Sequence, residues 1–289
     1  MAAGNAGLLD KVIQWANAQT DIIALIMTGS RAQPDGSVDA FSDYDLEIFA
    51  TDPGKYTSSA SWITEIRDVW VYVPTTSSRD CETILVVFNG GEKVDFSIFP
   101  VSALEDAVKS QALNDLYERG FRVLIDRKGL ASRLPVPSYL SPVRLPPTET
   151  EFRAAVEEFW FETSHIPKYL ERDDLWVVKF RDWTLKELLL RMMEWQAVAR
   201  SGDRTDVWQI GMRIKDWTSP DVWQRLHEVF ARFDAADSWR ALLATTTLFR
   251  DVARETANKL GYQYPDDVDD AISGYIAEFD DSLPAEDEG

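Results

Sequence analysis

A chain of 289 residues, 45% hydrophobic and 12% aromatic, is long enough for two cores and too apolar to be disordered. Thirty basic residues against 49 acidic ones give a net charge of −19, which disfavours nucleic acid and anionic membranes and favours a cationic partner. The single cysteine, Cys81, excludes an intrachain disulfide and a cysteine-based metal cluster, and neither a signal pattern nor a membrane-length apolar stretch is visible, so a cytoplasmic protein is expected.

From the start, Leu8, Leu9, Val12, Ile13, Trp15 and Ala16 recur at helical spacing and predict an amphipathic helix. Ile22 to Met27 reads as a buried strand, ended by Thr28-Gly29-Ser30, and Asp35-Gly36 marks a turn. Leu46 to Ala50 predicts the next strand, and Trp62, Ile63 and Ile66 a helix. Val69 to Val73, Thr83 to Phe88 and Val94 to Phe99 read as three further strands, the last two joined by a hairpin at Asn89-Gly90-Gly91. Ser102 with Glu105 suggests a capping box, and Phe121 to Ile125 a final strand.

Five prolines, Pro135, Pro137, Pro142, Pro146 and Pro147, then interrupt helix and central strand alike. The expected division is a first domain over 1–134, a linker over 135–147, and a second domain over 148–289. After Thr148 the periodicity is helical. Phe152, Val156, Phe159 and Trp160 share a face, as do Leu185, Leu188, Leu189, Met192, Met193 and Trp195. Ser219-Pro220 starts a helix, Trp239 to Leu260 forms a long one stopped by Gly261, and the acidic tail from Asp280 is expected to fray. An N-terminal α/β domain followed by a helical domain, with a cleft between them, is the expected architecture.

Three carboxylates stand out. Asp43 and Asp45 are two residues apart, so on a strand both point the same way. Asp95 has the opposite parity to Val94, Phe96 and Ile98; if those three face the core, Asp95 faces away from it. Carboxylates converging in this way beside Gly29-Ser30 suit a magnesium ion shared with a phosphorylated substrate. Singly, each piece also fits a solvated turn or strand edge.

Their order in the chain resembles the nucleotidyltransferase superfamily that includes DNA polymerase β. The match narrows with Gly29-Ser30-Arg31 and Phe41-Ser42-Asp43-Tyr44-Asp45, which resemble segments of the aminoglycoside 6-adenylyltransferases, the streptomycin adenylyltransferases. Lys93-Val94-Asp95-Phe96-Ser97-Ile98-Phe99-Pro100 is similar to their third-carboxylate strand. In the helical half, Glu158-Phe159-Trp160, then Lys168, Leu170 and Arg172, then Leu189-Leu190-Arg191-Met192 with Trp195, and Leu260-Gly261-Tyr262-Gln263-Tyr264-Pro265-Asp266 follow the same family in order. Departures fall at Gln196, at Pro167, which predicts a helix kink, and across 73–82, shorter and less acidic than in the family.

The resemblance implies an α+β protein: a nucleotidyltransferase domain with a mixed sheet, then a helical bundle. It implies transfer of AMP from ATP to the 6-hydroxyl of streptomycin with release of pyrophosphate, in a monomer or weak homodimer. Asp43, Asp45 and Asp95 would bind magnesium, Asp95 doubling as general base. Gly29, Ser30, Arg31 and Lys168 would hold the triphosphate, with Gly29-Ser30 opening a helix whose N–H groups face phosphate. Glu82, Glu158, Trp160 and Asp182 would meet the cationic acceptor. Two other readings stay open: adenylylation of another aminoglycoside, a metabolite or a protein, and a non-catalytic nucleotide-binding or acidic interaction protein.

Overall fold

The computed structural model describes residues 7–34, 38–39, 41–76, 81–202, 205–207 and 209–280. The turn expected at Asp35-Gly36 and the tail beyond Asp280 lie outside the described residues. The chain divides into two compact units, with the break between Pro142 and Val143. From Pro135 to Thr148 the backbone forms neither helix nor strand, as its proline density requires.

The first unit is built on six strands: β1 (Ile22–Thr28), β2 (Tyr44–Ala50), β3 (Val69–Thr76), β4 (Glu82–Phe88), β5 (Lys93–Pro100) and β6 (Arg122–Asp126). Their order in the sheet is β3-β4-β5-β2-β1-β6. The sheet is mixed, because β2 and β5 run parallel whereas the other neighbours are antiparallel. β1 is buried along its whole length, which explains its unbroken apolar run. β5 alternates instead: Val94, Phe96 and Ile98 enter one core with Trp15, Tyr56 and Trp62. The opposite face is covered over part of its length by Leu104 and Val108 of the Val101–Ser110 helix, which pack with Phe49, Ala24 and Ile26. That helix starts at Pro100 with no side-chain cap, so the Ser102–Glu105 box does not form. Proline fixes its own φ and lacks an N–H, which places it naturally at a helix start.

The second unit is helical. A capping box, Thr148 with Glu151, opens the Glu149–Thr163 helix. The helices Leu175–Ser201 and Ala235–Leu260 are its long members. Phe159 stacks on Phe249 with ring centroids 3.6 Å apart, and Leu185, Leu189 and Met192 pack in the same core. The helix kink expected at Pro167 is not found: Pro167 sits instead at the start of a separate short helix, Ile166–Leu170. Gly261 closes the Ala235–Leu260 helix at φ 74°, a conformation that costs glycine little.

Candidate active site

The parallel pairing of β2 and β5 sets Asp45 opposite Asp95. Side chains alternate along a strand. Asp43 and Asp45 therefore share a face with Lys93 and Asp95, giving a two-by-two cluster at the ends where these strands begin. The Lys93 ammonium lies inside it, donating to Asp43 Oδ2 at 2.9 Å and Asp95 Oδ2 at 3.1 Å. The other Asp95 oxygen, Oδ1, is buried without a hydrogen-bond partner, the only such side-chain atom among the described residues.

Electrostatics follow from this crowding. Burial, then the charge of Asp95, pushes the Asp45 carboxyl up to about 6, with Lys93 opposing the rise. Burial also raises Asp95, against the hydrogen bond and charge of Lys93. For Lys93, burial works against the charged form, but hydrogen bonds to Asp43 and Asp95 outweigh it and raise the ammonium.

Two neighbours shape the cluster. Gly29 has φ 69°, and a Cβ there would stand 1.9 Å from Asp45 Oδ2, so only glycine permits the carboxylate to lie where it does. Arg31 reaches from the following turn. Its Nη2 donates to Ser42 O at 2.7 Å, its Nε to Asp43 O at 3.1 Å, and its guanidinium stacks 4.1 Å from the Tyr44 ring centroid. It braces the backbone that presents Asp43. The helix expected after Gly29-Ser30 is a three-residue 3₁₀ turn, Ser30–Ala32.

Among the described residues, no group of three or more His, Cys, Asp or Glu side chains is gathered closely enough to hold an ion as it stands. The donor set nonetheless suits magnesium, which typically takes one or two carboxylates and completes its shell with substrate phosphates and water. The orphaned Asp95 Oδ1 is the atom such an ion would satisfy.

With this geometry in view, residues 4–279 match the family described as streptomycin adenylyltransferase. The chain belongs to this family. It is 24% identical over 277 residues to an aminoglycoside 6-adenylyltransferase of Campylobacter jejuni, covering 92% of both chains. It is 24% identical over 279 residues to one from Bacillus subtilis (strain 168), covering 93% of this chain and 95% of that one. A crystal structure of an aminoglycoside 6-adenyltransferase from Bacillus subtilis aligns over 94% of this chain and 97% of its own, at 20% identity and a TM-score of 0.42.

Of the remaining family-matched positions, Glu82 belongs to the first unit and the others to the second. Glu82 is exposed at the start of β4, paired across the ladder with Ile98. In the helical unit Lys168 stands 5.6 Å from the Tyr275 ring centroid. Glu158 is exposed and 3.9 Å from Arg191 Nη1. Trp160 is 0% exposed and donates from Nε1 to Tyr264 Oη at 3.0 Å, so it is a core residue and offers no face to a ligand. Asp182 accepts from Lys186, a buried lysine that also donates to Thr245 Oγ1 at 3.0 Å; it is the counter-charge of that lysine. The aromatic rings left exposed include Trp176, Phe180 and Trp183 of the Leu175–Ser201 helix. Sequence reasoning passed over these three, although their spacing puts them on one helical stripe. It quoted Lys93 but gave it no role, although its parity with Asp95 was there to read.

No helix in the described residues is long and apolar enough to cross a membrane.

Proposed function

We propose that this protein is a magnesium-dependent nucleotidyltransferase that moves AMP from ATP to a hydroxyl of an aminoglycoside, with the 6-hydroxyl of streptomycin as the first acceptor to test and antibiotic resistance as the outcome. The observation that carries the reading is that two adjacent parallel strands bring Asp43, Asp45 and Asp95 to one face, beside Gly29, where a Cβ would meet Asp45 Oδ2. Similarity to aminoglycoside 6-adenylyltransferases over nine-tenths of the chain supports the same reaction class.

In the proposed step an acceptor hydroxyl oxygen bonds to the α-phosphorus of ATP. The bond from that phosphorus to the oxygen bridging the β-phosphate breaks, and pyrophosphate leaves. Asp95 takes the hydroxyl proton, and the burial that raises its carboxyl helps. Asp43, Asp45 and Asp95 would hold magnesium, which when bound supplies neutralisation of the triphosphate charge. Gly29 and Ser30 receive terminal phosphate oxygens in this reading, and Arg31 acts by keeping the Ser42–Asp43 backbone in place. Lys168 is a second candidate for the triphosphate.

The test is pyrophosphate release from ATP and magnesium, with and without streptomycin, in the native protein and Asp95→Asn. Release that requires streptomycin and is lost in the variant supports the proposal. Nucleotide binding without streptomycin-dependent release moves the search to other aminoglycosides, metabolites or protein acceptors. The specific observation favouring that second reading is that Trp160 is buried and Asp182 accepts from Lys186, so neither stands open to an acceptor in this structure.

A further inference from the structure

The cluster contains a cation of its own. Lys93 lies two residues before Asp95 on β5, hence on the same face, one ladder step before the Tyr44–Val94 pair. Its ammonium bridges carboxylates from both strands at 2.9 and 3.1 Å. Three carboxylates on neighbouring strands repel one another, and without a neutralising charge the strand ends would splay. Of the two carboxylates that Lys93 holds, Asp95 keeps one oxygen orphaned. One ammonium therefore neutralises part of the cluster and leaves part of its binding capacity open.

We propose that Lys93 is a positioning residue that serves as the resident counter-ion of the Asp43–Asp45–Asp95 cluster, holding it assembled before the divalent cation arrives and competing with that cation for Asp43 and Asp95. The inference rests on the metal-binding reading of this cluster. It has two consequences that pull in opposite directions. Removing the ammonium weakens the metal-free protein, because three carboxylates then face each other unneutralised. It also strengthens metal binding, because the ion no longer displaces a bound cation. An ordinary exposed ion pair does neither to a measurable degree. The same competition makes metal entry cooperative with nucleotide, since the triphosphate brings the ligands and charge that favour exchange of ammonium for metal.

The experiment uses the full-length protein, Lys93→Met and Lys93→Arg. Mn²⁺ is titrated without nucleotide, and free Mn²⁺ is read by electron paramagnetic resonance. In parallel, chelator-treated samples are heated and the metal-free Tm of the sheet-bearing unit is read from hydrogen exchange of its β2 and β5 amides. The expected result is Mn²⁺ binding on the order of tenfold tighter in Lys93→Met, within the range usual for coupled sites. The metal-free Tm should fall by several degrees in the same variant. Lys93→Arg keeps the charge and should restore the metal-free Tm. Unchanged or weaker Mn²⁺ binding in Lys93→Met overturns the inference, as does an unchanged metal-free Tm. Streptomycin-dependent pyrophosphate release by the native protein separates the two levels. If release occurs and Lys93→Met binds Mn²⁺ no tighter, only the role of Lys93 falls. If the native protein neither releases pyrophosphate nor binds Mn²⁺ with ATP present, the reading beneath it falls too.

Discussion

Replacing Asp45 by Asn should stabilise the metal-free protein by an amount that grows as the pH rises above about 4. Asp45 titrates at about 6 in the fold, against an ordinary 3.8, because it is buried and faces Asp95. Between those values the folded protein keeps a proton that the unfolded chain has released. The charge penalty is therefore absent below about pH 3.8, grows as pH rises to about 6, and is complete above that. The shift corresponds to about 3 kcal/mol at full ionisation. The value of about 6 already contains the opposing attraction of Lys93, and an amide only approximates a protonated carboxyl, so the gain for Asp45→Asn should be about 1–3 kcal/mol at pH 8 and near zero at pH 4. Because the chain has two units, a single melting curve mixes their transitions. Hydrogen exchange of the β2 and β5 amides, in chelator, reads the relevant unit alone. An Asn variant no more protected than the native protein at pH 8, or equally more protected at both pH values, would refute the argument that ionised Asp45 is held under strain.

Gly29→Ala should be worse than its chemistry suggests. The new Cβ meets Asp45 Oδ2 at 1.9 Å and the backbone stays at φ 69°, so a loss of about 1–3 kcal/mol should accompany near-complete loss of pyrophosphate release; full activity in this variant would contradict the packing. Trp160→Phe should cost about 1–3 kcal/mol through lost volume and the lost bond to Tyr264, while KM for the acceptor stays unchanged. A large KM effect at native stability would return Trp160 to the binding surface. Asp182→Asn should lower stability by about 2–4 kcal/mol, because it strands the buried Lys186 ammonium. Chemical denaturation measures the loss, and a variant of native stability with a raised acceptor KM would show that Asp182 meets the substrate instead.

Much of the first unit was legible because its strands are short β-branched runs between turn residues. Ile22 to Met27 and Val94 to Phe99 both fall within observed strands. The carboxylate face was legible for a simpler reason, since parity along β5 leaves Asp95 no route into the core occupied by Val94, Phe96 and Ile98. The misses have local causes. Ser102 and Glu105 have capping-box spacing, but Pro100 already supplies the helix start. At Arg31 the sequence shows a charge, and the structure adds that the Ser42 and Asp43 carbonyls and the Tyr44 ring engage its guanidinium. For Trp160 the sequence held the correct answer: its periodicity with Phe152, Val156 and Phe159 marks a buried face, and the motif resemblance pulled against it. Lys186, four residues after Asp182, was the available sign that Asp182 had a partner.

The acceptor side is less determined than the reaction side, and the charge explains why. A net charge of −19 draws any polycation towards the protein, so it raises encounter rates without selecting among aminoglycosides. Selection needs carboxylates that are free to pair with guanidinium or ammonium. In the helical unit several are already committed: Asp182 to Lys186, Glu162 to Arg181, Glu255 to Arg200 and Asp269 to Arg250. The last three pairs join different helices and the first lies within one, and exchanging any of them for a ligand would expose a buried or half-buried cation. Under the proposed function, acceptor recognition would draw on exposed carboxylates and on exposed rings such as Trp176 and Trp183 that can stack against a sugar. Surface groups of this kind can change without disturbing the core. A chain 24% identical to its relatives can therefore keep the fold that carries Asp43, Asp45 and Asp95 while its acceptor surface diverges.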